Sequence, residues 1–184
     1  GYTCLKYKKY ELYKIIPLTK KRFSFLKRIL WIIILGSTSL VAQEESFYKM
    51  VDRLTSKSVP RINSEELISK NKFILLDVRS KEEYDISHIK NALWIGEDDW
   101  DQKTLEELDK EEVIIAYCSI GYRSEKLVKE LIQLNFLNVY NLYGGVFEWI
   151  NQGNSVQNNL GTTERIHEYN KNFACWLKKG TIIY

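Results

Sequence analysis

The sequence predicts an α/β fold: a mainly parallel sheet of about five strands with helices on both faces. Three observations carry this expectation. Val113-Ile114-Ile115-Ala116-Tyr117 is an uninterrupted apolar run, the pattern of a strand covered on both sides. Short apolar strands alternate with segments of helical spacing, the rhythm of a parallel sheet. Two capping boxes, Asn63 with Glu66 and Ser80 with Glu83, mark helix starts between the strands.

Taken in order, residues 43–59 read as a polar lead-in. A short helix opens after Asn63, and Phe73–Leu76 is a buried strand. Ser80 opens a second short helix that His88 ends, and Leu93-Trp94-Ile95 is the next strand. Glu97 to Trp100 is an acidic loop, followed by a helix from Lys103 to Lys110 with Leu105 and Leu108 inward. After the central strand, Ser124 to Leu134 is helical with Leu127, Leu131 and Leu134 on one face. Asn135 terminates it, and Val139–Leu142 is a further strand. Residues 154–159 form a polar loop. Ile166, Tyr169, Phe173 and Trp176 recur at helical spacing, which predicts a packed helix over Thr163–Leu177 as a C-terminal extension, with a partner-binding surface as the alternative.

The charge is unevenly placed. Residues 1–42 hold nine Lys and Arg and one Glu, which leaves 18 basic and 23 acidic residues in 43–184. The remainder is acidic, at net −5, and carries no electrostatic footprint for nucleic acid. In the N-terminal part, Lys20-Lys21-Arg22 and Lys27-Arg28 precede the apolar run Ile29–Leu35, and small residues lead to Ala42-Gln43. That is the pattern of a signal segment cleaved after Ala42, so an exported, periplasmic protein is expected. An uncleaved membrane anchor is the alternative, although the apolar run is shorter than the ~20 residues of a spanning helix. Residues 1–19 read as an overextended or truncated reading frame with no function of their own.

Three cysteines make no disulfide framework. Cys4 precedes the signal segment, and Cys175 reads as the buried side of a short element. Cys118 stands where the central strand ends, and in parallel sheets ligands bind at the carboxyl ends of strands. The loop Cys118-Ser119-Ile120-Gly121-Tyr122-Arg123-Ser124 then runs into a helix. Consecutive N–H groups in such a loop can converge on one centre, and the helix N-terminus adds partial positive charge. This setting favours the thiolate, which is the reactive species. Gly121 lets the backbone turn its N–H groups inward. Ser119, Ile120 and Tyr122 are expected to line the mouth, leaving Arg123 and the backbone dipoles as the positive elements. Arg123 reads two ways, as a bidentate holder of an anionic donor or as an internal salt bridge that shapes the loop. Two isolated histidines give no metal-ligand spacing, and no nucleotide-binding glycine loop is present. No cofactor is expected.

The pattern C-x-x-G-x-R-S resembles the active-site loop of rhodanese-like sulfurtransferases. Leu75-Leu76-Asp77-Val78-Arg79 is similar to the family's L-x-D-V-R strand end. Glu83-Tyr84, His88-Ile89 and Ala92 match its E-[FY]-x-x-G-H-I-x-G-A segment, and Gly144-Gly145-Val146-Phe147-Glu148-Trp149 its G-G-x-x-x-W ending. The likeness covers residues 60–153, with Ser87 and Asn91 where glycine is usual and Lys90 where proline is common. It implies a rhodanese-like three-layer fold and a persulfide on Cys118. A sulfane sulfur would pass from a small donor such as thiosulfate to a thiol, cyanide or protein acceptor. It also implies that Asp77 and Arg79 are a structural charge pair, His88 a structural histidine, and Glu148 and Trp149 packing and capping residues.

Cysteine phosphatases and arsenate reductases share the Cys, N–H and Arg chemistry, but they place five residues between Cys and Arg. Here there are four, a ring better sized for sulfur than for phosphate. A non-catalytic rhodanese-like binding module is the third reading, opposed by retention of Cys118.

Overall fold

Five strands, β1 (Arg61–Ile62), β2 (Ile74–Asp77), β3 (Leu93–Trp94), β4 (Val113–Tyr117) and β5 (Asn138–Leu142), line up in the order β1-β5-β4-β2-β3. Every pairing among them is parallel, so their carboxyl ends share one edge. Register places Asp77 beside Tyr117, which brings the segments that follow β2 and β4 together at that edge. The computed structural model describes residues 45–183, nearly all of them in the unit Tyr48–Tyr184. The signal-segment and anchor expectations, on residues 1–42, lie outside the described residues.

The helices follow their start signals. Residues 45–54 are helical (α1). α2 (Ser64–Ser69) and α3 (Lys81–Ile86) each begin at a complete capping box, Asn63 with Glu66 and Ser80 with Glu83. α4 (Gln102–Glu106) is capped by Asp101 and is shorter than its leucine spacing predicts. α5 (Tyr122–Gln133) starts two residues before the expected Ser124, because Gly121 at φ 95° turns the chain directly into the helix. Asn135, at φ 64°, ends that segment in the left-handed conformation Asn tolerates. α6 (Gly145–Asn151) follows β5.

The core is split by β4. Ile114, Ala116 and Cys118 pack in one cluster with Leu127, Val128 and Leu131 of α5. Alternation turns Ile115 and Tyr117 to the opposite face, where they are equally buried. Both faces are therefore covered, as the unbroken apolar run requires.

Three expectations are corrected. The lead-in is not merely polar: α1 buries Val51 completely, and Tyr48 donates to Glu148 at 2.6 Å. The short strand β1, which pairs with β5, was not legible in two residues. The C-terminal extension contains no helix over Thr163–Leu177. It forms a hairpin of β6 (Val156–Asn158) and β7 (Gly161–Thr163), then β8 (Arg165–His167), a 3-10 turn over Ala174–Trp176, and β9 (Thr181–Ile183), which pairs in parallel with β8. The helical spacing of Ile166, Tyr169, Phe173 and Trp176 loses to ladder pairing between Arg165–His167 and Thr181–Ile183. Gly180, at φ 92°, permits that return, since a Cβ there would meet the Glu164 carbonyl oxygen at 2.9 Å as well as the Ile166 side chain. Cys175 lies half-buried in the 3-10 turn rather than on a buried side.

Candidate functional site

Cys118 leaves the end of β4 with 1% of its surface exposed. Its Sγ accepts the Gly121 N–H at 3.2 Å. The loop between them is fixed through its carbonyls. Val146 and Phe147 of α6 donate to the carbonyls of Cys118 and Ser119 at 2.9 and 3.1 Å. Asn141 Nδ2 of β5 donates to the Gly121 carbonyl at 2.8 Å, and Asn141 Oδ1 accepts from Ser124 Oγ at 2.7 Å. A trans peptide carries its N–H opposite its C=O, so tying these carbonyls down sets the direction of the following N–H groups. The glycine pair makes the approach of α6 possible. Gly144 and Gly145 both have positive φ, 76° and 59°, and a Cβ on Gly145 would lie 2.3 Å from the Cys118 carbonyl oxygen.

Arg123 is turned inward, its side chain 12% exposed. Nη1 donates to Glu83 at 2.7 Å and Glu97 at 2.6 Å, and Nη2 donates to Glu83 at 2.8 Å and Ser119 Oγ at 2.9 Å. Ser119 Oγ in turn donates to Glu83 at 2.8 Å. The salt-bridge reading of Arg123 is thus realised in the geometry. The other face of the guanidinium lies 4.3 Å from the centre of the Tyr169 ring. Burial works against the charges here and is overcome. It pushes the Glu83 carboxyl up, yet the hydrogen bonds and charge of Arg123, with the charge of Arg79, bring it from 4.5 down to about 2. Burial likewise works against the Arg123 cation, but Glu83 first, with Cys118 and Glu97, holds its pKa above the usual guanidinium value.

Asp77 and Arg79 form a completely buried pair on the adjacent strand end. Arg79 donates to Asp77 through Nε at 2.9 Å and Nη2 at 2.6 Å, and Nη2 also reaches the Ser87 carbonyl at 2.6 Å. This ties β2 to the end of α3. His88 stacks on Tyr84 with ring centres 3.9 Å apart, and its Nδ1 lies 2.9 Å from the Tyr84 carbonyl. Its backbone pairs with Gln157 of β6. Trp149 donates to the Ser155 carbonyl at 2.9 Å. Where glycine was usual, Ser87 is extended at φ −168° and Asn91 takes φ 63°.

Ser119 and Ile120 do not line the mouth. Both are buried, Ser119 beneath Arg123, while Tyr122 is 59% exposed. Sequence reasoning assigned Glu83 only a capping role and missed Asn141, Glu97 and Tyr169 altogether. Glu83 carried a usable signal, since its motif match lay beyond what a cap requires. Asn141, a polar residue between Tyr140 and Leu142 in the predicted strand Val139–Leu142, carried another. A groove of about 790 Å³ beside α5 is lined by Glu97, Tyr122, Arg123 and Lys126 among others, but not by Cys118.

A family model described as "Rhodanese-like domain" matches residues 64–152. The chain is similar to the thiosulfate sulfurtransferase GlpE of Coxiella burnetii, with 32% identity over 93 residues, 50% of this chain and 86% of the relative. It is also similar to the tRNA uridine(34) hydroxylase of Hamiltonella defensa, 33% identical over 46% of this chain but 25% of that protein. Among solved structures, a Bacillus halodurans protein superposes with a TM-score of 0.50 at 27% identity, covering 64% of this chain and 88% of its own. A rhodanese-like domain from Anabaena sp. reaches 0.50 at 24% identity over 54% and 79%; this likeness concerns the fold alone.

Two outcomes are expected from this geometry. Gly145→Ala should destabilise the protein by about 2 kcal/mol or more in urea unfolding, because the strained turn and the Cys118 carbonyl leave no room for a methyl group. The depressed Glu83 pKa should give a stability share fully present above 4.5 and lost as pH falls from 4.5 towards about 2. In Glu83→Gln that share of the acid dependence should be absent when thermal unfolding is followed over the same pH range.

Proposed function

Because this chain belongs to the rhodanese-like domain family, we propose that it is a sulfurtransferase. It moves a sulfane sulfur from a donor such as thiosulfate to a nucleophilic acceptor through a persulfide on Cys118. One observation carries the reading: Cys118 Sγ sits at the carboxyl end of β4 and accepts the Gly121 N–H at 3.2 Å, just before the N-terminus of α5.

In the first half-reaction the Cys118 thiolate attacks the outer sulfur of thiosulfate. The donor S–S bond breaks, its electron pair leaves on sulfite, and Cys118 retains the sulfur as a persulfide anion. In the second, cyanide or a thiolate, small or on a protein, attacks that outer sulfur. The Cys118 S–S bond breaks and its pair returns to the thiolate. This is covalent ping-pong transfer with the protein as carrier. The Gly121 N–H and the dipole of the twelve-residue α5 offset the negative charge of both thiolate and persulfide.

Phosphatase or arsenate chemistry fits this site less well, because Arg123 is already committed to Glu83 and Glu97. The hydroxylase relative matches over only 25% of its length, so its name brings no hydroxylation chemistry here. Export belongs to the same proposal. The basic residues, the apolar run and the Ala42-Gln43 junction support a periplasmic mature chain, with membrane anchoring as the alternative.

Intact mass after thiosulfate treatment should show one added sulfur, removed by cyanide or a reductant and absent from Cys118→Ser. An adduct that persists in Cys118→Ser sinks the assignment, as does Cys118-dependent hydrolysis of aryl phosphates without sulfur loading. N-terminal sequencing of the fractionated protein should find a chain beginning near Gln43; uncleaved protein in the membrane fraction would replace export with anchoring.

A further inference from the structure

The guanidinium of Arg123 is the positive side chain beside Cys118, and its hydrogen-bonding edge is crowded. Of its five N–H groups, the hydrogen bonds to Glu83, Glu97 and Ser119 engage both terminal nitrogens. The Tyr169 ring covers one of its faces at 4.3 Å. Two carboxylates against one guanidinium leave this cluster at net −1. Asp98, the next residue after Glu97, adds a further acid, although it pairs with Lys126 at 3.3 Å.

Tyr169 is not there by accident of a loose tail. Its φ is 65°, a strained conformation for a bulky residue that persists only where the surroundings dictate it. Those surroundings are present. Its neighbours Ile166 and Glu168 are buried, its N–H donates to His167 Nδ1 at 3.0 Å, and its ring meets Phe173 edge-on at 5.6 Å. This segment lies beyond the residues matched by the family model, 64–152, and the C-terminal extension packs β8 on α3, the helix that holds Glu83.

We propose that Glu97 and Tyr169 form a donor-selectivity element that masks Arg123 and biases the site against sulfonate-bearing donors and towards hydropersulfides. The proposal rests on the sulfurtransferase reading and names its donor class. Thiosulfate presents a dianion whose sulfonate needs N–H donors; Glu97 takes one Nη1 hydrogen bond of Arg123 and adds like charge, Tyr169 covers the guanidinium with its ring, and Glu83 and Ser119 hold the remaining terminal N–H groups. An alkyl hydropersulfide has no sulfonate to place. The Cys118 thiolate attacks its outer sulfur, the S–S bond breaks, the alkyl thiolate leaves with the electron pair, and Cys118 carries the persulfide with its proton. Both donors use the same thiol and the same loop, so the mask acts on their ratio.

The test is the second-order rate constant for sulfur loading of Cys118, followed by intact mass, with thiosulfate and with the hydropersulfide of 2-mercaptoethanol. In Glu97→Gln/Tyr169→Ala the thiosulfate constant should rise about tenfold while the hydropersulfide constant stays within about twofold. Tyr169→Phe retains the ring and should keep the parent ratio. Glu97→Gln, a change on the exposed loop, should raise the thiosulfate constant about threefold by itself. A parallel change with both donors, or a thiosulfate constant unmoved in Glu97→Gln and the double variant, overturns the mask and leaves the sulfurtransferase reading standing. Loading by neither donor in the parent protein overturns that reading itself.

Discussion

A carboxylate with 2% of its surface exposed must be given hydrogen-bond donors or lose its charge. Glu83 is given them from three parts of the chain. The Ser80 N–H donates from the start of α3, Ser119 Oγ from the loop after β4, and Arg123 from the first turn of α5. The same side chain thus caps one helix and fastens the loop that begins another. Removing it would leave the Arg123 cation buried without its main partner, the costly half of any buried ion pair. The Asp77–Arg79 pair repeats the device one strand away, tying β2 to the Ser87 carbonyl at the end of α3. α3 is short, six residues, and these two pairs fasten it at its start and its end.

Charge alone does not shape the loop; its backbone is set from below. Helix α6 meets it end-on, and its first N–H groups take the carbonyls of Cys118 and Ser119. Each bond satisfies a helix-end donor that would otherwise lack a partner. It also orients a peptide next to the reactive sulfur. Glycine at 145 is required by distance, and Asn141 completes the arrangement from β5 by holding Gly121 and Ser124 together. A loop fastened at three carbonyls costs little reorganisation when charge develops at its centre, the condition under which fixed dipoles stabilise best.

Much of this was legible in the sequence because local signals and burial agreed. The β4 run, both capping boxes and Asn135 spoke through short-range chemistry that tertiary packing did not override. Ser119 and Ile120 were misplaced because a loop position says nothing about which side chains turn under it. For Ser119 the inward turn is met by Glu83, thirty-six residues away. The C-terminal extension failed for a different reason. Apolar residues at helical spacing are also what a folded-back strand with a 3-10 turn displays, and Gly161 and Gly180, both at positive φ, bracketed the segment as turn positions. Glu97 and Tyr169 had no local signature, since their role exists only through Arg123.

The charge balance at the site separates holding an anion from admitting one. Inside the loop the Gly121 N–H and the α5 dipole, equivalent to about half a positive charge, act at hydrogen-bond distance on the sulfur. There an interaction in a poorly solvated site is strong. Outside the loop, Arg123 shares its charge with Glu83 and Glu97, so an approaching anion meets a cation already neutralised. On the proposed reaction, a persulfide with its charge within the loop would gain from the first arrangement and be little affected by the second. On the same proposal, a dianionic donor would have to cross the outer zone to arrive, and its anionic leaving group would be repelled once the bond had broken. Carboxylates that weakened capture would therefore favour departure, and on the proposed reaction the balance between the two falls to Glu97, the more exposed of the pair.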